Sequence, residues 1–195
     1  TIDQQVQQFA AQRLGDESAA CAVLDITNGD VIALVSTPGY DPNAFNVGIS
    51  QAEWQSLTTD DHKPLINKVI SGEYPPGSTF KTAVALGAMD NGLADLTVNC
   101  TGSITLGNNV FHCWSWKKGG HGHVDLKRGI AVSCDVFFYE AAKRLGIDKI
   151  HDTALMMGLG EKTGIELPGE RPGLIPSREW KLQRFGVPWQ QGETL

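Results

Sequence analysis

Ser78 and Lys81 are the pair in this sequence whose types and spacing could make a nucleophile. A serine hydroxyl is weakly nucleophilic near neutral pH and needs a base beside it. Residues three apart on a helix share a face, so Lys81 can lie against the Ser78 hydroxyl and take its proton. Tyr74-Pro75-Pro76-Gly77 precedes them as a turn that leaves the first helical turn open. There, unpaired backbone N–H groups and the positive end of the helix dipole favour an oxyanion on a substrate. The chemistry within reach is acyl transfer through a serine ester. The same spacing also suits a serine that only caps a helix.

A second set is built from soft ligands. Cys100, Cys113, His121 and Cys134 lie within a short span and together make a Cys3His set of the kind that closes around zinc. Two other readings stay open. Cys100 and Cys113 flank a hairpin and could join as a disulfide in an oxidising compartment, or the thiols could simply be buried. His123 is an alternative ligand to His121, while His62 and His112 read as surface or turn residues. Trp114 and Trp116 could line a groove, although aromatics after a hairpin more often pack.

These residues need a scaffold. Val6, Phe9, Ala10 and Leu14 after Thr1-Ile2-Asp3 give a short amphipathic helix with a polar cap. Residues 20–25 and 30–36 flank Thr27-Asn28-Gly29 and read as a hairpin. Ser50-Gln51-Ala52-Glu53 opens a helix containing Trp54. Residues 78–91 read as a helix stopped at Gly92, and residues 102–114 as a second hairpin around Gly107. Residues 124–145 read as helix with a break near Ser133, followed by helices at 148–157 and 177–185 with a Gly/Pro-rich loop between them. The class is α+β, with few strands for so much helix. Two strands make a poor sheet by themselves.

Bulk composition narrows the partners. The 195 residues are 41% hydrophobic and 19% charged, which suits a folded domain. A net charge of −6 without a basic patch argues against nucleic acid and anionic membrane surfaces. The longest apolar runs, 19–23 and 31–35, are far short of the ~20 residues that span a bilayer. No leader-like segment opens the sequence, so it reads either as cytosolic or as the soluble portion of something longer.

An ordered series of motifs adds a family resemblance. Thr1-Ile2-Asp3, Thr27-Asn28-Gly29-Asp30, Ser36 to Asn43 (STPGYDPN), Pro64 to Lys68 (PLINK) and Tyr74 to Lys81 (YPPGSTFK) together resemble the start of the transpeptidase domain of class B penicillin-binding proteins. Ser133-Cys134-Asp135, at the helix break, is similar to that family's second motif, with the Asp found in its elongation-type subgroup, penicillin-binding protein 2. The resemblance implies that Ser78 is acylated, that Lys81 is its partner and that Ser133 relays a proton to the leaving amine. An ionised Asp135 accepts but does not donate hydrogen bonds, so its role falls to positioning Lys81 or a backbone amide.

Lys162-Thr163-Gly164 spells the third family motif but precedes a Pro/Gly loop, whereas the family element lies on a strand later in the chain. It reads as a decoy. Residues 1–195 are therefore expected to form a partial transpeptidase domain, lacking the true Lys-Thr-Gly strand, the final helix and three central strands of a five-stranded sheet.

What the resemblance implies about function is a D,D-transpeptidase acting on D-Ala-D-Ala stem peptides and acylated by β-lactams. It also implies a place at the periplasmic face of the inner membrane, with the anchor absent from this chain. A membrane glycosyltransferase and rod-elongation proteins are partners by analogy. No cofactor is expected for catalysis, and zinc would be structural. Activity of the 195-residue chain is expected to be weak or nil. The alternatives are a serine β-lactamase or β-lactam sensor, which can share Ser-Thr-Phe-Lys, and a non-catalytic structural piece.

Overall fold

Asp3 opens the first helix as expected: its carboxylate accepts from the amides of Gln5 and Val6. The computed structural model describes residues 2–195, so Thr1 of the predicted cap lies outside the described residues. The chain divides into two compact units, residues 1–74 with 164–171, and residues 75–163 with 172–195.

In the first unit, α1 (Gln4–Leu14) precedes an antiparallel hairpin of β1 (Ala19–Leu24) and β2 (Val31–Thr37). Its register runs from Ala19 opposite Thr37 to Leu24 opposite Val31. At the turn the Asp25 carboxylate accepts from both the amide and the hydroxyl of Thr27, and Gly29 takes the left-handed φ of +82°. Ala33, Val35 and Thr37 are buried, the period of two that a half-covered strand requires.

The outer edge of β2 is closed by α1. Gln7 donates to Leu34 O and accepts from Leu34 N, both at 2.8 Å, and the Asp3 amide donates to Ile32 O. A side-chain amide here mimics a strand and blunts an edge that would otherwise invite pairing. Three short helices follow: α2 (Asn43–Val47), α3 (Gln51–Thr59) capped by Ser50, and α4 (Lys68–Ser71) capped by Asn67. α2 had no clear sequence signal, because it is a single turn with no side-chain cap.

In the second unit, α5 (Lys81–Asp90) packs on α7 (Asp135–Met156). α5 buries only small residues, Ala83, Val84, Ala85, Gly87 and Ala88. A Cβ on Gly87 would lie 2.9 Å from the Thr153 hydroxyl, so glycine permits this close approach. α7 supplies the larger core side chains Val136, Phe137, Phe138 and Leu145, and it kinks at Gly146, where φ is +75°. The two helices predicted at 124–145 and 148–157 thus meet at this kink.

Two small antiparallel sheets flank that core: β3 (Thr97–Cys100) with β6 (Gly122–Asp125), and β4 (Ser103–Leu106) with β5 (Asn109–His112). The second is the hairpin expected at 102–114. The first departs from the sequence reading, which ran helix through residues 124–125. Asp125 both ends β6 and caps α6 (Leu126–Ala131), its carboxylate accepting from the Arg128 amide. A strand that becomes a helix within one residue leaves no loop for a sequence pattern to show.

The last elements are α8 (Arg178–Phe185), capped by Ser177, and a 3-10 turn at Gln191–Thr194. The class is α+β, as expected. No helix among the described residues is long and apolar enough to cross a membrane.

Candidate active site

Ser78 lies in a single 3-10 turn, Gly77–Phe80, which runs directly into α5. The turn starts there because Pro76 is already helical, with φ −70° and ψ −19°, and Gly77 has φ +56°, which disfavours a side chain. The Thr79 hydroxyl ties back to Pro76 O, and the Lys81 amide donates to Ser78 O and Thr79 O. Ser78 is exposed and Lys81 half-buried. The α-helix expected to start at Ser78 thus starts one turn later, at Lys81, and Ser78 lies in the 3-10 turn before it.

The Lys81 ammonium reaches across to the break between α6 and α7. It donates to Ser133 O at 3.0 Å, to Ser133 Oγ at 3.0 Å and to Asp135 Oδ1 at 2.5 Å. Three acceptors meet three N–H donors, which is the full capacity of a protonated lysine. The Phe138 ring lies beneath, its centroid 5.6 Å from Nζ.

Two local features present Ser133 to Lys81. Ser133 has φ +48°, a conformation uncommon outside glycine, and this turns its carbonyl and hydroxyl toward the same lysine. The preceding turn closes on α6, with the Ser133 amide on Ile130 O and the Cys134 amide on Gly129 O. A Cβ on Gly129 would stand 2.8 Å from the Phe137 ring, so glycine lets α6 and α7 meet.

Asp135 does both things the sequence left open. Its Oδ1 takes Lys81, and its Oδ2 accepts from the Trp114 amide at 2.9 Å. The Trp114 indole N–H in turn donates to Val132 O. Sequence reasoning had considered Trp114 only for its ring. A contact made by a backbone amide carries no side-chain signature, so nothing in the sequence could have shown it.

The soft-ligand residues are also brought together. Cys100 ends β3, Cys113 follows β5, His121 precedes β6 and Cys134 caps α7 by accepting from the Phe137 amide. One ligand atom from each lies within 4.8 Å of all the others, and the three cysteines are fully buried. Tetrahedral zinc at 2.0–2.3 Å from its ligands separates them by roughly 3.5–4 Å, a small contraction from this arrangement. His121 turns Nδ1 to the sulfurs, 3.4 Å from Cys113 and 3.8 Å from Cys100. All the cysteines are free, so a Cys100–Cys113 disulfide is not the arrangement found. His123, the alternative ligand, is instead exposed on β6 opposite Asn99. His62 and His112 are also exposed, as expected.

The sulfurs differ in electrostatics. Burial pushes the Cys113 thiol up, but hydrogen bonds from the Ser115 hydroxyl and amide and from the Val136 and Asp135 amides outweigh it and leave the group lowered. Burial, with the neighbouring Cys100 and Cys113, pushes Cys134 up to about 12 against the Phe137 amide. Close packing enforces the cluster. A Cβ on Gly120, beside His121, would sit 2.1 Å from Cys100 O.

Lys162-Thr163-Gly164 lies in irregular backbone with no strand, in keeping with its reading as a decoy.

Comparison with known proteins identifies similar chains. Residues 19–192 match the family described as the penicillin binding protein transpeptidase domain. The peptidoglycan D,D-transpeptidase MrdA of Escherichia coli (strain K12) is 42% identical over 199 aligned positions, covering 100% of this chain and 31% of the relative. The chain therefore spans about a third of that relative's length. Among solved structures, Pseudomonas aeruginosa PBP2 in complex with WCK 5153 superposes with a TM-score of 0.90 at 39% identity, covering 99% of this chain and 44% of that one. Helicobacter pylori PBP2 in its complex with MreC gives 0.92 at 37% identity, covering 100% of this chain and 37% of that one.

Proposed function

The chain belongs to the penicillin-binding protein transpeptidase family, in its PBP2/MrdA-type branch, and on that premise we propose that Ser78 is the acylated nucleophile of a peptidoglycan cross-linking reaction. The Ser78 oxygen attacks the carbonyl of the penultimate D-alanine in a D-Ala-D-Ala stem peptide. Lys81, once neutral, takes the hydroxyl proton and passes it through the Ser133 hydroxyl to the departing D-alanine amine, which leaves both side chains as they began. An amine on a neighbouring stem then attacks the acyl-Ser78 ester, returning the serine and forming the cross-link. A β-lactam acylates the same oxygen by opening its ring.

The observation that carries this reading is the three-point hold on Lys81. Its acceptors are a carbonyl, a hydroxyl and a carboxylate from one helix break, and the lysine stands three residues from an exposed serine. The hydroxyl in that set gives protons a route that a purely structural ion pair lacks. Asp135 holds the lysine and the Trp114 amide and takes no proton in this scheme.

We place the third family element, a Lys-Ser/Thr-Gly strand with its oxyanion donor, and the closing helix outside residues 1–195. In keeping with this, the 195 residues alone are expected to acylate slowly or not at all. The periplasmic face of the inner membrane, with rod-elongation proteins and a membrane glycosyltransferase as partners, is the setting that fits such a domain. The MreC-bound relative supports the first kind of partner.

Catalysis in this scheme uses no cofactor. Cys100, Cys113, His121 and Cys134 are the residues that would hold a structural zinc, which would neutralise and tether three thiolates.

The test is mass measurement after incubating the parent protein, meaning this chain together with the third family element placed outside it, with benzylpenicillin. One stable adduct that peptide mapping places on Ser78, and that Ser78→Ala abolishes, is expected. Rapid drug hydrolysis with no lasting adduct would favour a β-lactamase, and an adduct surviving Ser78→Ala would overturn the assignment.

A further inference from the structure

Metal-binding histidines are normally oriented through the ring nitrogen that does not touch the metal, which bonds to a carboxylate, a carbonyl or water. His121 lacks that support. Its Nε2 is fully enclosed with no hydrogen-bond partner among the described residues. The Trp114 ring packs edge-on against the imidazole, with centroids 5.0 Å apart, and any hydrogen bond that orients the imidazole must act from the Nδ1 side, where the sulfurs are.

On that side stands one group that is not itself a ligand, the Ser115 hydroxyl. Ser115 is 3% exposed. Its carbonyl accepts from the amides of Lys118 and Gly120, which pins its backbone. The hydroxyl lies 3.4 Å from Cys113 Sγ and 3.2 Å from His121 Nδ1, touching two of the four cluster residues at once.

We propose that Ser115 is the positioning residue of the cysteine–histidine centre, its one hydroxyl proton shared between His121 Nδ1 and the Cys113 sulfur until a metal ion binds and committed to the sulfur thereafter. This rests on the zinc reading of the cluster. Without metal, the one hydroxyl proton is shared between the Cys113 sulfur and the Nδ1 lone pair, both within its reach. While it is on Nδ1 it holds the proton of the neutral ring on Nε2 and aims Nδ1 at the sulfurs. With metal, the lone pair is taken and Nδ1 no longer accepts. The hydroxyl then turns to the Cys113 sulfur, whose charge as a thiolate makes it the better acceptor. One side chain serves both states without moving its backbone, and a hydroxyl is the smallest group able to do so.

The test uses the parent protein freed of metal with a chelator and titrated with zinc against a chromogenic competitor. Wild type is expected to take up one zinc per chain. Ser115→Ala and Ser115→Val should bind about 10- to 100-fold more weakly, whereas Ser115→Thr, which matches valine in shape and keeps the hydroxyl, should stay within about threefold of wild type. Without metal, Ser115→Thr should melt higher than Ser115→Val, which has its shape but leaves the buried acceptors unpaired, and the thiolate-to-metal charge-transfer band of the cobalt-substituted forms should shift in Ala and Val alone. Alanine and valine variants that bind as tightly as wild type would overturn the inference. So would valine and threonine variants weakened equally, since shape would then account for the loss. A wild-type protein that takes up no zinc would instead overturn the zinc reading itself, which keeps the two failures distinct.

Discussion

Lys81 and Lys181 are held in nearly the same way, yet only one sits in a plausible site of chemistry. Both donate to a backbone carbonyl and a carboxylate and lie beside an aromatic ring. For Lys81 these are Ser133 O, Asp135 and Phe138. For Lys181 they are Pro188 O, Glu193 and Trp189. The difference lies in the remaining acceptor. Lys181 spends its third bond on the second oxygen of Glu193, which also takes the Gln190 amide and closes the 3-10 turn at Gln191–Thr194. Lys81 spends it on a hydroxyl. A paired lysine drawn out of water is therefore no signature of catalysis by itself. In the proposed mechanism the proton-bearing group beside it is what separates a clamp from a relay.

The comparison breaks most visibly in acylation rates. Lys81→Ala should slow penicillin acylation of the parent protein by at least about 10²-fold, while Lys181→Met should leave it within about threefold of wild type. Adduct formation followed by mass measures both, and equal losses would erase the distinction drawn between the two lysines.

Asp135→Asn is the next largest change. An amide side chain puts an NH2 where one of the two carboxylate oxygens stands, so either Lys81 or the Trp114 amide would meet a donor in place of its acceptor. Acylation about 10-fold slower and a stability loss of about 1–3 kcal/mol in denaturant titration are expected. A variant with wild-type values would mean that one of the two bonds carries nothing.

Ser133 offers a sharper cut, because its φ of +48° separates backbone from hydroxyl. Ser133→Gly and Ser133→Ala both remove the relay, so acylation should fall equally in the two. Only glycine relieves the backbone, so the glycine variant should be roughly 1 kcal/mol more stable than the alanine variant. An acylation-competent Ser133→Gly would remove the hydroxyl from the mechanism.

The smallest effect concerns pH. Hydrogen bonds from Lys181, then from the Gln190 amide, hold the Glu193 carboxyl below its ordinary value of 4.5. A carboxyl depressed in the folded state contributes stability that is fully present above that ordinary value and lost as pH falls through the folded one. Wild type should therefore lose melting temperature more steeply below pH 4.5 than Lys181→Met does, and parallel curves would show that the pair contributes nothing.

Much of this was legible in the sequence, for reasons that are local. Asn28-Gly29, Ser50 with Glu53, and the Pro-Pro-Gly before Ser78 are turn and cap chemistry confined to a few adjacent residues, and each marked a real boundary. The break at Ser133 showed as a lapse in helical pattern. What escaped was non-local or backbone-borne. β3 and β6 are four residues each and pair across twenty-one positions, from Cys100 to Gly122, without alternation to mark them. The Trp114 amide on Asp135 and the Ser115 hydroxyl between Cys113 and His121 depend on how loops fold back. Composition showed the ligand types at the cluster, but only the fold could choose His121 over His123.

Cys134 sits between two residues that face the other way. Ser133 and Asp135 serve Lys81, while the residue between them joins Cys100, Cys113 and His121. The tripeptide is thus a two-sided partition one residue thick. Inserting or deleting a single position here would offer the lysine a thiol and the cluster a carboxylate, spoiling both neighbours together. Substitutions can be absorbed one side at a time, but a change of length cannot. In a collection of natural variants, gaps should be absent from these three positions even where their letters differ.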